Sequence, residues 1–275
     1  MKPGRLRILL ILGAIVIPLF LLIHPVTRFG VPLVVLLYAA VSGRGTIYYF
    51  LGLRANRTGN REAVLHYMLK AAGIYRTVSP ERGCIVAVTL LKHDRIEDAA
   101  ILFAHLAEKR LTESQANALR AYRALLYWKT GEREEAAAIL QELLEGGYRT
   151  SYLYSTLGYF LLHCATPEEA VALNLEAVDY DDTPDILDNL TGAYIRAGMW
   201  EEAAETSSRV TAAEPKFAEA WYHAGLIARH QGDPERAAGY FDRCSRAVFS
   251  SLSLLTPETV REALDTVAPN TGEQP

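Results

Sequence analysis

The chain has 275 residues, half of them apolar, with 28 Lys or Arg against 32 Asp or Glu and a net charge of −4. That is enough material for one or two domains with a real core. The charge is divided unevenly: residues 1–61 hold eight basic residues and no acid, so the remainder carries 20 basic residues against all 32 acids. An acidic body argues against nucleic acid as a partner, because binding phosphates needs a basic face that releases counterions.

In chain order, Lys2, Arg5 and Arg7 precede an uncharged apolar run over 8–23. At 1.5 Å per residue it covers roughly 24 Å, against a hydrocarbon core of about 30 Å. Leu6 extends the run, and Arg7 can reach back to the headgroups. The following His24-Pro25-Val26-Thr27-Arg28 offers no small-x-small cleavage site, which favours a retained helix over a removed signal peptide. A second apolar segment, 29–41, ends at Ser42-Gly43-Arg44-Gly45. Two arrangements follow. Both segments cross as a hairpin around His24–Phe29, with Pro25 and Pro32 shaping the turn, or one crosses while the other lies in the interface. Flanking charge favours the hairpin, since Arg28 alone lies between the segments while Arg44, Arg54, Arg57 and Arg61 follow the second. The positive-inside rule then puts the N-terminus and the remainder in the cytoplasm. Residues 1–44 are expected to form an integral membrane anchor in contact with lipid.

From residue 45 onward one signature recurs. Glu97-Asp98-Ala99, Glu134-Glu135-Ala136, Glu168-Glu169-Ala170, Glu201-Glu202-Ala203 and Glu235-Arg236-Ala237 have alanines separated by 37, 34, 33 and 34 residues. A weaker copy, Glu62-Ala63-Val64, puts Val64 35 residues before Ala99. A fixed period near 34 is the mark of stacked helix pairs. About five residues before each alanine stands a turn residue: Gly59, Asp94, Gly131, Ala165, Gly198 and Gly232. Gly suits a helix end because the left-handed conformation there has no Cβ penalty, and the acidic pair then suits the positive end of the next helix dipole. Seven residues before the turn is a small slot: Gly52, Ala87, Ala124, Gly158, Thr191 and Gly225. Four residues after the alanine is a core slot: Met68, Phe103, Leu140, Asn174, Ser207 and Phe241.

These residues resemble the tetratricopeptide repeat family. The last copy matches best, with Trp221, Ala224-Gly225, Gly232, Ala237 and Phe241 in the family's Trp, Leu-Gly, Gly, Ala and Phe slots. The first and second copies depart from it: Val64 stands where the family prefers Ala, and Gly83 where it prefers Trp. The resemblance covers roughly 45–250 and implies an all-α, right-handed solenoid of about six helix hairpins. Its motif residues are packing residues and carry little about function. The family's groove is lined by the first helix of each pair, which points to Tyr49, Leu91, Trp128, Tyr159, Leu162, Tyr222 and Arg229, with Leu53, Val88, Leu125 and Leu226 beside them. Together they would form a largely apolar groove for an extended or helical peptide; the alternative is that several pack between repeats. The family's carboxylate clamp needs Lys and Asn where Tyr49, Leu53, Cys84 and Val88 stand, so that mode is not expected.

The last basic residue of each first helix gives Arg57, Lys92, Lys129, His163, Arg196 and His230. An anion-binding stripe is one reading; cations at helix C-termini, favoured by the dipole, are the other and the simpler one. The acidic run from Asp179 to Asp188 lacks the central Gly and distal Glu of a calcium loop; Thr183 capping a helix from Pro184 accounts for it. Cys84, Cys164 and Cys244 are too scattered for a metal or disulfide framework and read as small buried hydrophobes. Over 251–267, Thr256-Pro257-Glu258 starts a helix whose Val260, Ala263, Leu264 and Val267 form one apolar face, a cap for the last repeat. The tail 268–275 has no such pattern and is expected to be disordered. No HExxH, GxSxG, phosphate loop or dinucleotide motif is present, so no catalytic residue, metal ligand or cofactor is assigned. The sequence therefore reads as a membrane-anchored, non-enzymatic scaffold for a protein or peptide partner. The alternative is a structural subunit of a larger membrane or cell-envelope complex.

Overall fold

A computed structural model describes residues 13–18 and 25–267. Most of the apolar run 8–23 and the tail 268–275 lie outside the described residues, and so do the membrane and disorder expectations placed on them. The chain divides into two compact units, 1–79 and 80–275. All regular structure among the described residues is helical, apart from one isolated parallel bridge between Phe217 and Val248.

The first unit contains α1 (Pro25–Ser42), α2 (Arg44–Arg57), α3 (Arg61–Gly73) and a 3₁₀ turn, Tyr75–Thr77. Of the turn expected around His24–Phe29 only Pro25–Phe29 is described, and it is helical: α1 spans Pro25–Ser42 with Pro32 inside it. Among the described residues no helix is long and apolar enough to cross a membrane. Helices α2 and α3 form an antiparallel hairpin, with Asn60 accepting a hydrogen bond from the Ala63 N–H at the start of α3. The 3₁₀ turn is pinned to α2 by the Gly45 N–H donating to Thr77 Oγ1 at 3.0 Å.

The second unit is a succession of hairpins. They are α4 (Pro80–Lys92) with α5 (Ile96–Ala107), α6 (Glu113–Thr130) with α7 (Arg133–Glu145), and α8 (Ser151–Cys164) with α9 (Pro167–Tyr180). Next come α10 (Pro184–Ala197) with α11 (Trp200–Ala212) and α12 (Ala218–His230) with α13 (Pro234–Arg246); a last helix, α14 (Pro257–Val267), packs on α13. Five of the six turn residues, Gly59, Asp94, Gly131, Gly198 and Gly232, have φ between 61° and 97°; Ala165 instead leaves its helix extended. The helix after Ala165 is secured differently, by a capping box between Thr166 and Glu169.

The small and core slots are partners. Each pair lies sixteen residues apart, from Gly52 and Met68 to Gly225 and Phe241. A Cβ on Gly52 would sit 2.7 Å from Met68 Cε, and one on Gly225 would sit 2.6 Å from Phe241 Cδ1. Met68, Phe103, Leu140 and Phe241 are all fully buried. Where the small slot grows to Thr191, the core slot shrinks to Ser207, the direction that avoids overpacking between the two helices. Gly83, the departure from the preferred Trp, follows the same logic: Leu106 occupies the space its side chain would need, 2.7 Å from a built Cβ.

At the C-terminal end, Val260, Ala263 and Val267 are buried against Trp221, Ala237, Phe241 and Cys244, with Leu264 packed beside them. Helix α14 thus covers the apolar surface of the last hairpin, and Thr256 Oγ1 accepts from the Thr259 N–H at its start. The helix begins at Pro257, so 251–256, expected with the cap, is irregular chain that runs elsewhere.

Candidate functional site

The first helices of the second unit lie side by side: α4 against α6, α8 against α10 and α10 against α12. Helix α6 meets α8 through two ring stacks, Trp128 on Phe160 at 4.1 Å and Tyr122 on Tyr152 at 4.2 Å. Their C-terminal halves make an inner face, and the irregular segment 250–255 lies across it. The Trp128 indole N–H donates to Leu252 O at 2.9 Å, and Lys129 Nζ donates to Ser251 O at 2.7 Å. Ser251 Oγ donates to the Lys92 carbonyl at 2.9 Å. Tyr159 OH accepts from the Leu254 N–H at 2.7 Å and donates to Ser253 Oγ at 3.3 Å. Burial pushes the Tyr159 phenol up, with the Ser253 and Leu254 bonds acting the other way, so the hydroxyl stays protonated and can do both.

The segment is tied at both ends. Val248 bridges to the loop before α12, its N–H donating to Lys216 O at 2.8 Å and its carbonyl accepting from the Ala218 N–H at 3.1 Å. Beyond Thr256 the chain enters α14. On either side of the segment the face stays open. One cavity of about 360 Å³ lies among Leu162, Ile195, Tyr222 and Leu226 with Leu254 as a wall. Another of about 330 Å³ lies among Leu125, Asp185, Phe217 and Glu219 with Leu252 as a wall.

Beneath both cavities sits a buried ion pair, His223 Nδ1 and Asp188 Oδ1, 2.9 Å apart. Burial lowers the His223 pKa, but the Asp188 charge and hydrogen bond, together with Glu219, outweigh it and leave the pKa raised. Beside them Asn189 donates from Nδ2 to Ser155 O at 2.8 Å, tying α10 to α8. The pair therefore fixes α12 against α10 at the floor of the face.

The residues expected to line a groove are spread over several environments. Tyr159 and Tyr222 do face the open surface and border the cavities. Leu162 borders one cavity although it is nearly buried. Trp128 is 4% exposed, stacked in the α6–α8 contact with only its indole N–H reaching the segment. Leu91 is fully buried in the core, and Arg229 is exposed at the end of α12, donating to Thr266 of α14. Tyr49 is buried within the first unit. Of the neighbours, Leu125 and Leu226 border the cavities.

The members of the basic series with assigned contacts meet groups on other elements rather than their own helix ends, and they form no common stripe. Arg196 donates to the Leu161 and Ala165 carbonyls at the end of α8, His230 stacks on Trp200, and Lys129 also pairs with Asp94 at 2.8 Å. The acidic run is likewise dispersed: Asp182 pairs with Arg209, Asp185 accepts from Ser155, and Asp188 takes His223. Thr183 makes no side-chain cap, contrary to expectation, although the helix does start at Pro184. Asp188, Asn189 and His223 are functional candidates missed from sequence. The signal was there in part, as three polar residues on helix faces that become buried. Their convergence depends on how α10 and α12 meet.

Among known proteins, a tetratricopeptide repeat family model matches residues 193–247. No curated protein matches the chain. A solved structure of the Pseudomonas aeruginosa protein pilF superposes with a TM-score of 0.53 at 17% identity, covering 80% of this chain and 97% of that one. The peptide-binding-site structure of the tetratricopeptide protein YrrB is similar at a TM-score of 0.44 and 22% identity, over 59% of this chain and 83% of its own. The pilF superposition establishes the fold alone. The sequence match over 193–247 identifies a tetratricopeptide repeat across the end of α10 and helices α11 to α13, and the other hairpins are built on the same slot pattern.

Proposed function

We propose that this protein is a non-catalytic interaction scaffold that holds a segment of a partner protein on the inner face of its second unit, while its N-terminal region keeps it at a membrane. Tetratricopeptide-repeat proteins are generally scaffolds of this kind. The observation that carries the reading is the way the face holds segment 250–255. Trp128, Lys129 and Tyr159 address main-chain atoms, which any peptide offers, while the flanking cavities accept side chains. That division between main-chain affinity and side-chain pockets is how peptide-binding surfaces work.

The membrane part rests on composition and exposure. The first 61 residues are purely basic among their charges. Helix α1 carries a run of outward apolar side chains, with Leu33 57%, Leu36 67% and Tyr38 74% exposed. A helix that is apolar on all sides is satisfied by lipid or by another protein, not by water. One or both apolar segments insert, and the charge bias places the second unit on the cytoplasmic side.

A photo-crosslinking residue at position 222 in cells tests the reading, with one at position 239 on exposed α13 surface as the control. A discrete adduct from 222 and none from 239 supports it; adducts of the same pattern from both sites contradict it. Release of the full chain from membranes by alkaline carbonate would contradict the anchored form.

A further inference from the structure

We infer that segment 250–255 is a resident, displaceable occupant of the inner face, and that the partner enters as a short, uncharged, non-helical segment of alternating serine and leucine character that replaces it. The inference rests on the function proposed above and adds both a regulatory step and the chemistry of the ligand.

Three observations support displacement. First, the segment is poorly buried: Ser251 is exposed, and Leu252, Ser253, Leu254 and Leu255 are only half-buried, whereas the core slots beneath are closed. Its hold is a handful of hydrogen bonds, each worth roughly 0.5–1.5 kcal/mol net. Second, its anchors lie outside the face, at the Val248 bridge and in α14. Leu255 packs in the core of the last hairpin and its cap, so residues 251–254 can leave while Val248 and Leu255 hold the two ends. Third, the cavities on both sides make the face wider than its occupant, so an incoming chain can dock beside Leu252 or Leu254 before taking over their places.

The ligand chemistry is read from the occupant. Phe249-Ser250-Ser251-Leu252-Ser253-Leu254-Leu255 contains no charge and no helix. Its serine hydroxyls serve the segment's own turns as well as the face: Ser250 Oγ accepts from the Leu252 N–H, and Ser253 Oγ from the Leu255 N–H. Leu252 and Leu254 then fall on opposite cavities. A ligand of one charge would gain little over an uncharged one, because the cavities are lined by both signs, Asp185, Asp188 and Glu219 with Lys92 and Arg196.

A tethered occupant competes at an effective concentration on the order of millimolar, so removing it should tighten a free ligand by about tenfold or more. The test uses the full chain in detergent and a fluorescent peptide carrying residues 248–256. Wild type is compared with Leu252→Asp/Leu254→Asp and with the milder Leu252→Ser/Leu254→Ser, which is read if the first loses helix by circular dichroism. Expected is peptide binding at least tenfold tighter to the released variants, and its loss when Tyr159→Ala is added. Equal affinity for wild type and released variants would overturn the gating while leaving a peptide-binding face. Binding that survives Tyr159→Ala, or no binding by any variant, would also overturn the inference. In the last case an adduct at position 222 would show that the scaffold function stands without it.

Discussion

Gly225→Ala and Gly239→Ala are the same chemical change, in adjacent helices of one hairpin, and should have opposite signs. Gly225 lies on α12 where a Cβ would fall 2.6 Å from Phe241 Cδ1 and 2.9 Å from Cζ; Phe241 is fully buried and has nowhere to retreat. Overpacking of that kind costs about 1–3 kcal/mol, against about 0.5–1 kcal/mol gained by removing a mid-helix glycine. The net is a loss centred on about 1 kcal/mol and reaching about 2.5 kcal/mol. Gly239 lies on exposed α13 surface with no heavy atom within 4 Å of a built Cβ, so only the gain remains. Adding Phe241→Leu should relieve the Gly225→Ala clash, and the double variant should lose about 1 kcal/mol less than the two single losses together. Urea unfolding of the full chain, followed by far-UV circular dichroism, reads all four. A Gly225→Ala protein as stable as wild type would mean that α12 and α13 do not approach this closely and that the paired-slot account of the hairpins is wrong.

Other expectations follow from single sites. Thr166→Ala removes a capping box and should cost about 1 kcal/mol, while Thr183→Ala, whose side chain caps nothing, should cost well under half of that by the same unfolding assay. Burial pushes the Cys84 and Cys244 thiols up to about 12, so a thiol reagent should label Cys164 first in the native protein and reach the other two only on unfolding. Because the His223 pKa is raised in the folded state, the Asp188 pair contributes fully below the unfolded value of about 6.5 and is lost as pH rises through the folded value. Asp188→Asn should therefore destabilise the protein by about 1–3 kcal/mol at pH 6, and by less at pH 9. A loss of equal size at both pH values would refute the charged pair.

The hairpins were legible because their determinants are local. Gly131 and Gly198 mark left-handed turns, acids open the next helix, and each small slot announces a bulky partner sixteen residues on. The inner face was less so. Helix α8 presents apolar residues on several sides, and Leu153, Leu157, Phe160 and Leu162 all read alike from periodicity. Which of them meets α6, α9, α10 or open space is decided by neighbouring hairpins, so Leu91 and Trp128 fell in the core and Tyr159 and Tyr222 at the surface. Segment 250–255 was the least legible. Its contacts join residues 94 to 159 positions apart, such as Ser251 with Lys92, and a short serine and leucine stretch looks like any linker.

The Trp128 indole is a direct reporter of that occupied face. Its N–H is hydrogen-bonded to Leu252 O at 2.9 Å, while the Trp221 N–H is held by Pro215 O in the loop before α12. Indole hydrogen exchange in the full chain, resolved by nuclear magnetic resonance, should show Trp128 protected in wild type and exchanging at least tenfold faster in Leu252→Ser/Leu254→Ser, with Trp221 unchanged. A Trp128 indole that exchanges equally fast in both proteins would contradict an inner face held by segment 250–255 through its main chain.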